Sequence, residues 1–111
     1  MSNTTTKTEV KTIDLKAKQW FDKVNGNSYF SAQATINFGM PDEKTVYIPF
    51  QYGYGDHYKT VAFEQLQNDG ILPNDTTIYS PWRYCEENNI ILRYSKQENC
   101  LQRDVKAFGS N

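Results

Sequence analysis

A chain of 111 residues and 12.9 kDa is one domain's worth on the usual scale of roughly 100–200 residues per domain, so a single folding unit is expected. Hydrophobic content is low at 38%, but 14% of the residues are aromatic, and large rings restore buried area per residue; disorder is thereby excluded for most of the chain. Twelve Lys+Arg against 13 Asp+Glu leave a net charge of −1, which excludes a protein whose whole surface neutralises phosphate while leaving room for a local basic patch.

Residues 1–8 are polar, threonine-rich and without periodicity, so the reading is a flexible N-terminal tail followed by one α+β domain over 9–111. Ile13, Leu15, Ala17 and Phe21 alternate with Asp14, Lys16, Lys18 and Asp22, the period-two pattern of a half-buried strand that Gln19 and Trp20 interrupt. Asn25-Gly26 then predicts a two-residue type I′ hairpin turn, because both residues tolerate positive φ. Phe30, Ala32, Ala34, Ile36 and Phe38 alternate against Ser31, Gln33, Thr35 and Asn37, predicting a second strand with one apolar and one wet face. Val46, Ile48 and Phe50 predict a third, which Pro49, lacking a backbone donor, either assigns to a sheet edge or ends.

Gly53 and Gly55 break that pattern. Asp56 is placed to cap a helix carrying Tyr58, Val61, Ala62 and Leu66 on one stripe, with Gly70 in the left-handed closing position. Ser80-Pro81 predicts the start of a short second helix. Ile90–Ser95 is β-rich, and a turn over Lys96–Asn99 predicts a second hairpin ending in a strand over Leu101–Phe108. The expected architecture is thus an antiparallel sheet of about five strands, with one main helix on one face and a short second helix.

The start lacks the apolar core of a secretion signal, and no run of about 18 apolar residues offers a membrane span. The expectation is a cytoplasmic protein that makes no membrane contact. Two cysteines and one histidine cannot complete a four-ligand zinc site, so no metal or cofactor is expected, and both Cys85 and Cys100 are read as reduced thiols.

Charge is uneven along the chain. Residues 24–90 hold three basic and eight acidic side chains, whereas the two end segments are net basic. If those ends lie side by side, Lys16, Lys18, Arg93 and Arg103 form a modest basic face for nucleic acid; a solvated strand surface explains the same residues. The segment Tyr47–Tyr58 carries the strongest composition signal, with five rings, a histidine and two glycines in twelve residues. Tyrosines on a glycine-jointed backbone make adaptable, amphipathic contact area. Tyr47, Tyr52, Tyr54, Asp56, His57 and Tyr58 are therefore the candidate partner-binding residues. The alternative is that Phe50, Tyr54 and Tyr58 cap the core where strand meets helix.

Gly53-Tyr54-Gly55 before a helix is a weak phosphate-cradle signal, since the dinucleotide fingerprint asks for a third glycine and a parallel βαβ unit. His57 is the one residue suited to acid–base work near neutrality. Neighbouring helix positions do not face each other, so an Asp56–His57 dyad is poor geometry, and the chain is read as a non-enzyme with no catalytic residue.

The stretches Phe21–Ser31, Pro49–Tyr58 and Asn99–Val105 resemble those of small, mostly uncharacterised proteins of bacteriophages and mobile elements. That resemblance implies a phage origin, a role inside a bacterial host, and binding that inhibits or redirects a host protein, defence systems included. It transfers no site residue. A second likeness is architectural: three antiparallel strands, a glycine loop and a helix near Asp56 look like the latter part of a double-stranded RNA-binding domain. There Asp56-His57-Tyr58-Lys59 leaves one lysine at the helix start, where that family has several, and the family's first helix is missing. The leading expectation is a host-protein-binding accessory protein, monomeric or homodimeric, with a small nucleic-acid-binding protein as the alternative.

Overall fold

The period-two segments become three strands in the computed structural model, which describes residues 9–73 and 81–110. These are β1 (Thr12–Asp22), β2 (Asn27–Ile36) and β3 (Lys44–Tyr52). Ile13, Leu15 and Ala17 of β1 lie opposite Ile36, Ala34 and Ala32 of β2, and all six are buried. One sheet face is thus continuous hydrocarbon. On it packs α1 (His57–Asn68) through Tyr58, Ala62, Phe63 and Leu66, the helical spacing that the sequence advertised. Gly70 closes α1 at φ 77; Ile71 N–H donates to Leu66 O at 2.9 Å and Gly70 N–H to Gln67 O at 3.1 Å, a Schellman closure.

A short α2 (Pro81–Glu87) and then β4 (Ile91–Gln97) complete that side. The strand order is β3-β2-β1-β4. Because β3 is antiparallel to β2, it runs with β1, and a helical return from its end delivers β4 in the same direction. Accordingly β4 pairs parallel with β1, from Thr12↔Ile91 to Lys18↔Gln97, as a crossover connection requires.

The last element, α3 (Gln102–Phe108), lies on the opposite sheet face. Val105 is wholly buried there, the Ser31 hydroxyl donates to Val105 O, and Gln33 Nε2 donates to Phe108 O at 3.0 Å. A Cβ at Gly109 would stand 2.5 Å from Ile48 O and 2.6 Å from Ser31 Cβ, so only glycine lets the chain leave α3 this close to the sheet.

Several expectations are corrected. The sheet is mixed, with four strands among the described residues, where an antiparallel sheet of about five was expected. Leu101–Phe108 is not a strand: Leu101, Val105 and Phe108 recur at helical spacing. The β1–β2 hairpin exists, but four residues lie between its last pair, Asp22↔Asn27. Only Gly26, at φ 70, is left-handed there. Asp22 organises this loop, its Oδ1 accepting from Val24 N–H at 3.0 Å and from Asn25 N–H at 3.3 Å. The Asn25 side-chain hydrogen bond, followed by these backbone bonds, holds the Asp22 carboxyl below its ordinary value.

β2 stops at Ile36 because Asn37 turns left-handed at φ 56, which leaves Phe38 63% exposed instead of in the apolar row. The face read as wet is half roofed by α3, with Ser31 fully buried. Pro49 does lie on an edge strand, and the β2–β3 register slips between Phe30 and Ala32. The expected tail over 1–8 and the Ser80 cap fall outside the described residues.

Cys85 and Cys100 are both free. Burial pushes the Cys85 thiol from 9.0 to about 11; burial, then the charges of Asp56 and Tyr94, pushes the Tyr58 hydroxyl from 10.0 to about 12. Both groups ionise at lower pH once unfolded. The stability they contribute is therefore complete below about pH 9 and is lost as pH climbs towards 12. Denaturant melts taken in steps above neutrality should show that decline, and thiol labelling of the native protein at neutral pH should modify Cys100 while sparing Cys85.

Candidate functional site

β3 ends in Tyr52, and the chain then folds tightly over Phe30 into α1. Gly53 is needed there: a Cβ would fall 2.5 Å from the Phe30 ring and 2.8 Å from His57 Cδ2. The Phe30 and His57 rings meet edge to face at 5.9 Å. This packing pushes the neighbouring tyrosines outward, with Tyr52 57% and Tyr54 67% exposed and their rings edge to face at 6.5 Å. Together with Gly53, Asp56, His57 and Thr60 they line an open cleft of about 540 Å³.

The tyrosine pair is one end of a larger aromatic sheet. Tyr52 meets Tyr29 at 5.9 Å, Tyr29 stacks on Phe50 at 5.2 Å, and Trp20 lies 5.6 Å from Tyr29. Offset and edge-to-face contacts at such distances are the favoured aromatic geometries. Lys106 of α3 stands 5.3 Å over Phe50 and Lys18 of β1 5.0 Å over Phe108.

The six sequence candidates are thus divided. Tyr52, Tyr54, Asp56 and His57 share the cleft. Tyr47 lies in β3 opposite Gln33, half-buried on the α3 side and outside the cleft lining. Tyr58 is 3% exposed and belongs to the core cluster, which withdraws it from any contact surface; the helix stripe wins it from the tyrosine run. Asp56 precedes α1 without capping it through its side chain. Its carboxylate instead holds Lys59 Nζ at 3.3 Å, while that ammonium sits 3.7 Å over Tyr94 and 4.7 Å over Trp82. Desolvated cation–π contacts of this kind tie α1, α2 and β4 together. No hydrogen bond joins Asp56 to His57 among the described residues.

Three of the four basic candidates lie on neighbouring strands, and Arg103 stands on α3. β1 and β4 are neighbours, and Asp14↔Arg93, Lys16↔Ser95 and Lys18↔Gln97 are register pairs. Arg93, however, forks onto Asp14, with Nε at 2.6 Å and Nη2 at 3.1 Å, which raises the guanidinium above its usual value. Arg103 has Asp104 at 3.9 Å. Sequence reasoning missed Trp20, Tyr29 and Lys106, and read Phe50 into the apolar row of the third strand, whereas it stacks on Tyr29 beneath Lys106. The available signal was Trp20 on the Lys16/Lys18 parity of β1 and Tyr29 on the supposedly wet parity of β2.

No protein-family model matches the sequence, and neither curated proteins nor solved structures yield a match. No helix among the described residues is long and apolar enough to cross a membrane.

Proposed function

We propose that the chain is a non-catalytic binding protein that engages a bacterial host protein within the host cytoplasm, in the manner of phage accessory proteins that inhibit a host component such as a defence system. The observation that carries the binding reading is the exposure of Tyr52 and Tyr54 together, 57% and 67%, at the rim of a cleft and at the end of a self-packed aromatic sheet. Rigid tyrosines whose neighbours are already ordered lose little conformational entropy on contact, and such rings dominate binding energy at interfaces. The phage and host parts of the reading rest on the resemblance of the Phe21–Ser31 and Pro49–Tyr58 stretches.

Tyr52→Ala combined with Tyr54→Ala is expected to weaken partner binding by roughly tenfold or more while the melting temperature moves by only a few degrees, since both rings are mostly in solvent. Tagged wild-type and variant proteins expressed in a bacterial host, pulled down at moderate salt and compared by mass spectrometry, check this. The expected result is one near-stoichiometric host protein that the variant loses. A variant that unfolds would make the rings structural and remove the proposal.

A further inference from the structure

A net charge of −1 hides a segregation of charge between the two sides of the sheet. On the α1/α2 side, Lys59, Arg83 and Lys96 are each ion-paired, with Asp56, Glu87 and Glu98. Glu64 and Glu86 add further acid on those helices, and Asp69 follows the end of α1. On the α3 side the balance reverses. Arg93 and Asp14 neutralise each other, Asp104 lies by Arg103, and Lys16, Lys18 and Lys106 have no acidic partner among the described residues.

These lysines border the aromatic sheet. Lys16 and Lys18 are alternate residues of β1, so they point the same way roughly 6.6 Å apart; Trp20 continues their row, which ends in Asp22, a carboxylate held by the hairpin loop. Lys106 reaches the same rings from α3, over Phe50. The surface thus passes from Lys16 and Lys18 to Trp20 and, through Tyr29, to Phe50 beneath Lys106 and to the exposed ring of Tyr52.

We propose that this α3 face is the docking surface for an acidic polypeptide segment of the partner, its carboxylates meeting Lys16, Lys18 and Lys106 and an apolar or aromatic side chain meeting Tyr52. The inference rests on the protein-binding reading and supplies the partner's chemistry. Charge complementarity selects an acidic occupant, and three details favour polypeptide over nucleic acid. Tyr29 and Phe50 stack at 5.2 Å, nearly parallel at 6°, leaving no slot for a base between them. Arg93, the best-placed phosphate fork, is held by Asp14. Three lysines without an acidic partner among the described residues form a short patch rather than the long basic track on which a nucleic acid backbone depends.

The test titrates the full-length isotopically labelled protein with three probes: a short glutamate-rich peptide containing one tryptophan, its lysine-rich counterpart, and a short oligothymidylate. The glutamate peptide should shift the resonances of Lys16, Lys18, Lys106 and Tyr52, with binding that weakens as salt screens the contacts. The K16E/K18E/K106E variant should bind it about tenfold less tightly. K16E alone, at an exposed position, should show a smaller loss in the same direction and serves if the triple variant melts early. Equal shifts from the lysine peptide, tighter binding of oligothymidylate, or no shift on this face would each overturn the proposal. In the host pull-down, a triple variant that keeps the protein lost by the Tyr52→Ala/Tyr54→Ala variant overturns the acidic-segment inference alone. Retention by both variants overturns the tyrosine surface with it, and a wild-type pull-down without a near-stoichiometric host protein overturns the protein-binding reading.

Discussion

Replacing Phe30 by alanine is expected to lower stability by about 3–5 kcal/mol, the range for removing a buried phenylalanine ring, and the melting temperature by roughly 12–20 °C at about 4 °C per kcal/mol. Phe30 is 2% exposed in the centre of β2. Its ring is at once part of the core, the floor beneath Gly53 and the edge-to-face partner of His57 at 5.9 Å. Loss of the ring leaves a cavity where the chain turns from β3 into α1, so the Tyr52–Tyr54 loop should loosen before the sheet does. Calorimetry gives the stability loss, and amide exchange at Gly53 and Tyr54, faster than at β1 amides, checks the locality. A loss below about 1 kcal/mol would mean that the loop closes onto the vacated space and that Phe30 does not set its shape. The contrast with Tyr52→Ala is informative: the two residues stand on paired strands, Tyr52 opposite Tyr29 and Phe30 opposite Gln51, yet one substitution weakens the fold and the other alters only surface.

Period and turn chemistry made the first half of the fold legible. Ile13–Ala17 and Phe30–Ile36 alternate because one face of each strand is pressed against α1, and that constraint is written at every second residue. The direction of β4 was illegible for the opposite reason. Nothing within Ile90–Gln97 records whether its neighbour runs parallel; the direction follows from a helical return across the sheet, a global property. The α3 segment was misread because its apolar residues are few, and a seven-residue helix with one fully buried side chain, Val105, carries little periodic signal. Its spacing of Leu101, Val105 and Phe108 was nevertheless helical.

The site was legible as composition but not as geometry. Tyr47–Tyr58 read as a contact segment, yet helix packing takes Tyr58 into the core and the strand leaves Tyr47 half-buried opposite Gln33, outside the cleft. Asp56 shows how a local rule yields to a tertiary one: an aspartate before a helix ordinarily accepts from the first free N–H groups, whereas here its carboxylate answers the Lys59 ammonium enclosed by Trp82 and Tyr94. Those rings stand 23 and 35 residues further along the chain, beyond the reach of any motif. The basic face was legible as a conditional, because the chain ends are net basic and would matter only if adjacent. The pairing of β1 with β4 meets that condition, and the Arg93–Asp14 fork then removes one of the expected contributors.

Asn37 carries the second large effect, at a position whose sequence suggests only the end of an alternating strand. It is fully buried and left-handed at φ 56. Its Oδ1 accepts from Lys11 N–H at 2.7 Å and from Thr12 N–H at 3.3 Å. Its Nδ2 donates to Glu9 O at 2.9 Å and to Asp42 Oδ2 at 3.2 Å. One side chain therefore ties the entry of β1 to the end of β2, some 25 residues away, and satisfies backbone groups that the sheet ladder does not reach. Asn37→Ala is expected to cost about 3–5 kcal/mol, combining orphaned donors at about 1–3 kcal/mol each with the penalty of a left-handed non-glycine residue. Asn37→Gly removes the same hydrogen bonds but accepts the positive φ, so it should cost about 1 kcal/mol less. Paired denaturant melts of the two variants separate the contributions. Equal losses would assign the whole effect to the hydrogen bonds, and a near-wild-type Asn37→Gly would assign it to the backbone, leaving the junction of β1 and β2 held by strand pairing alone.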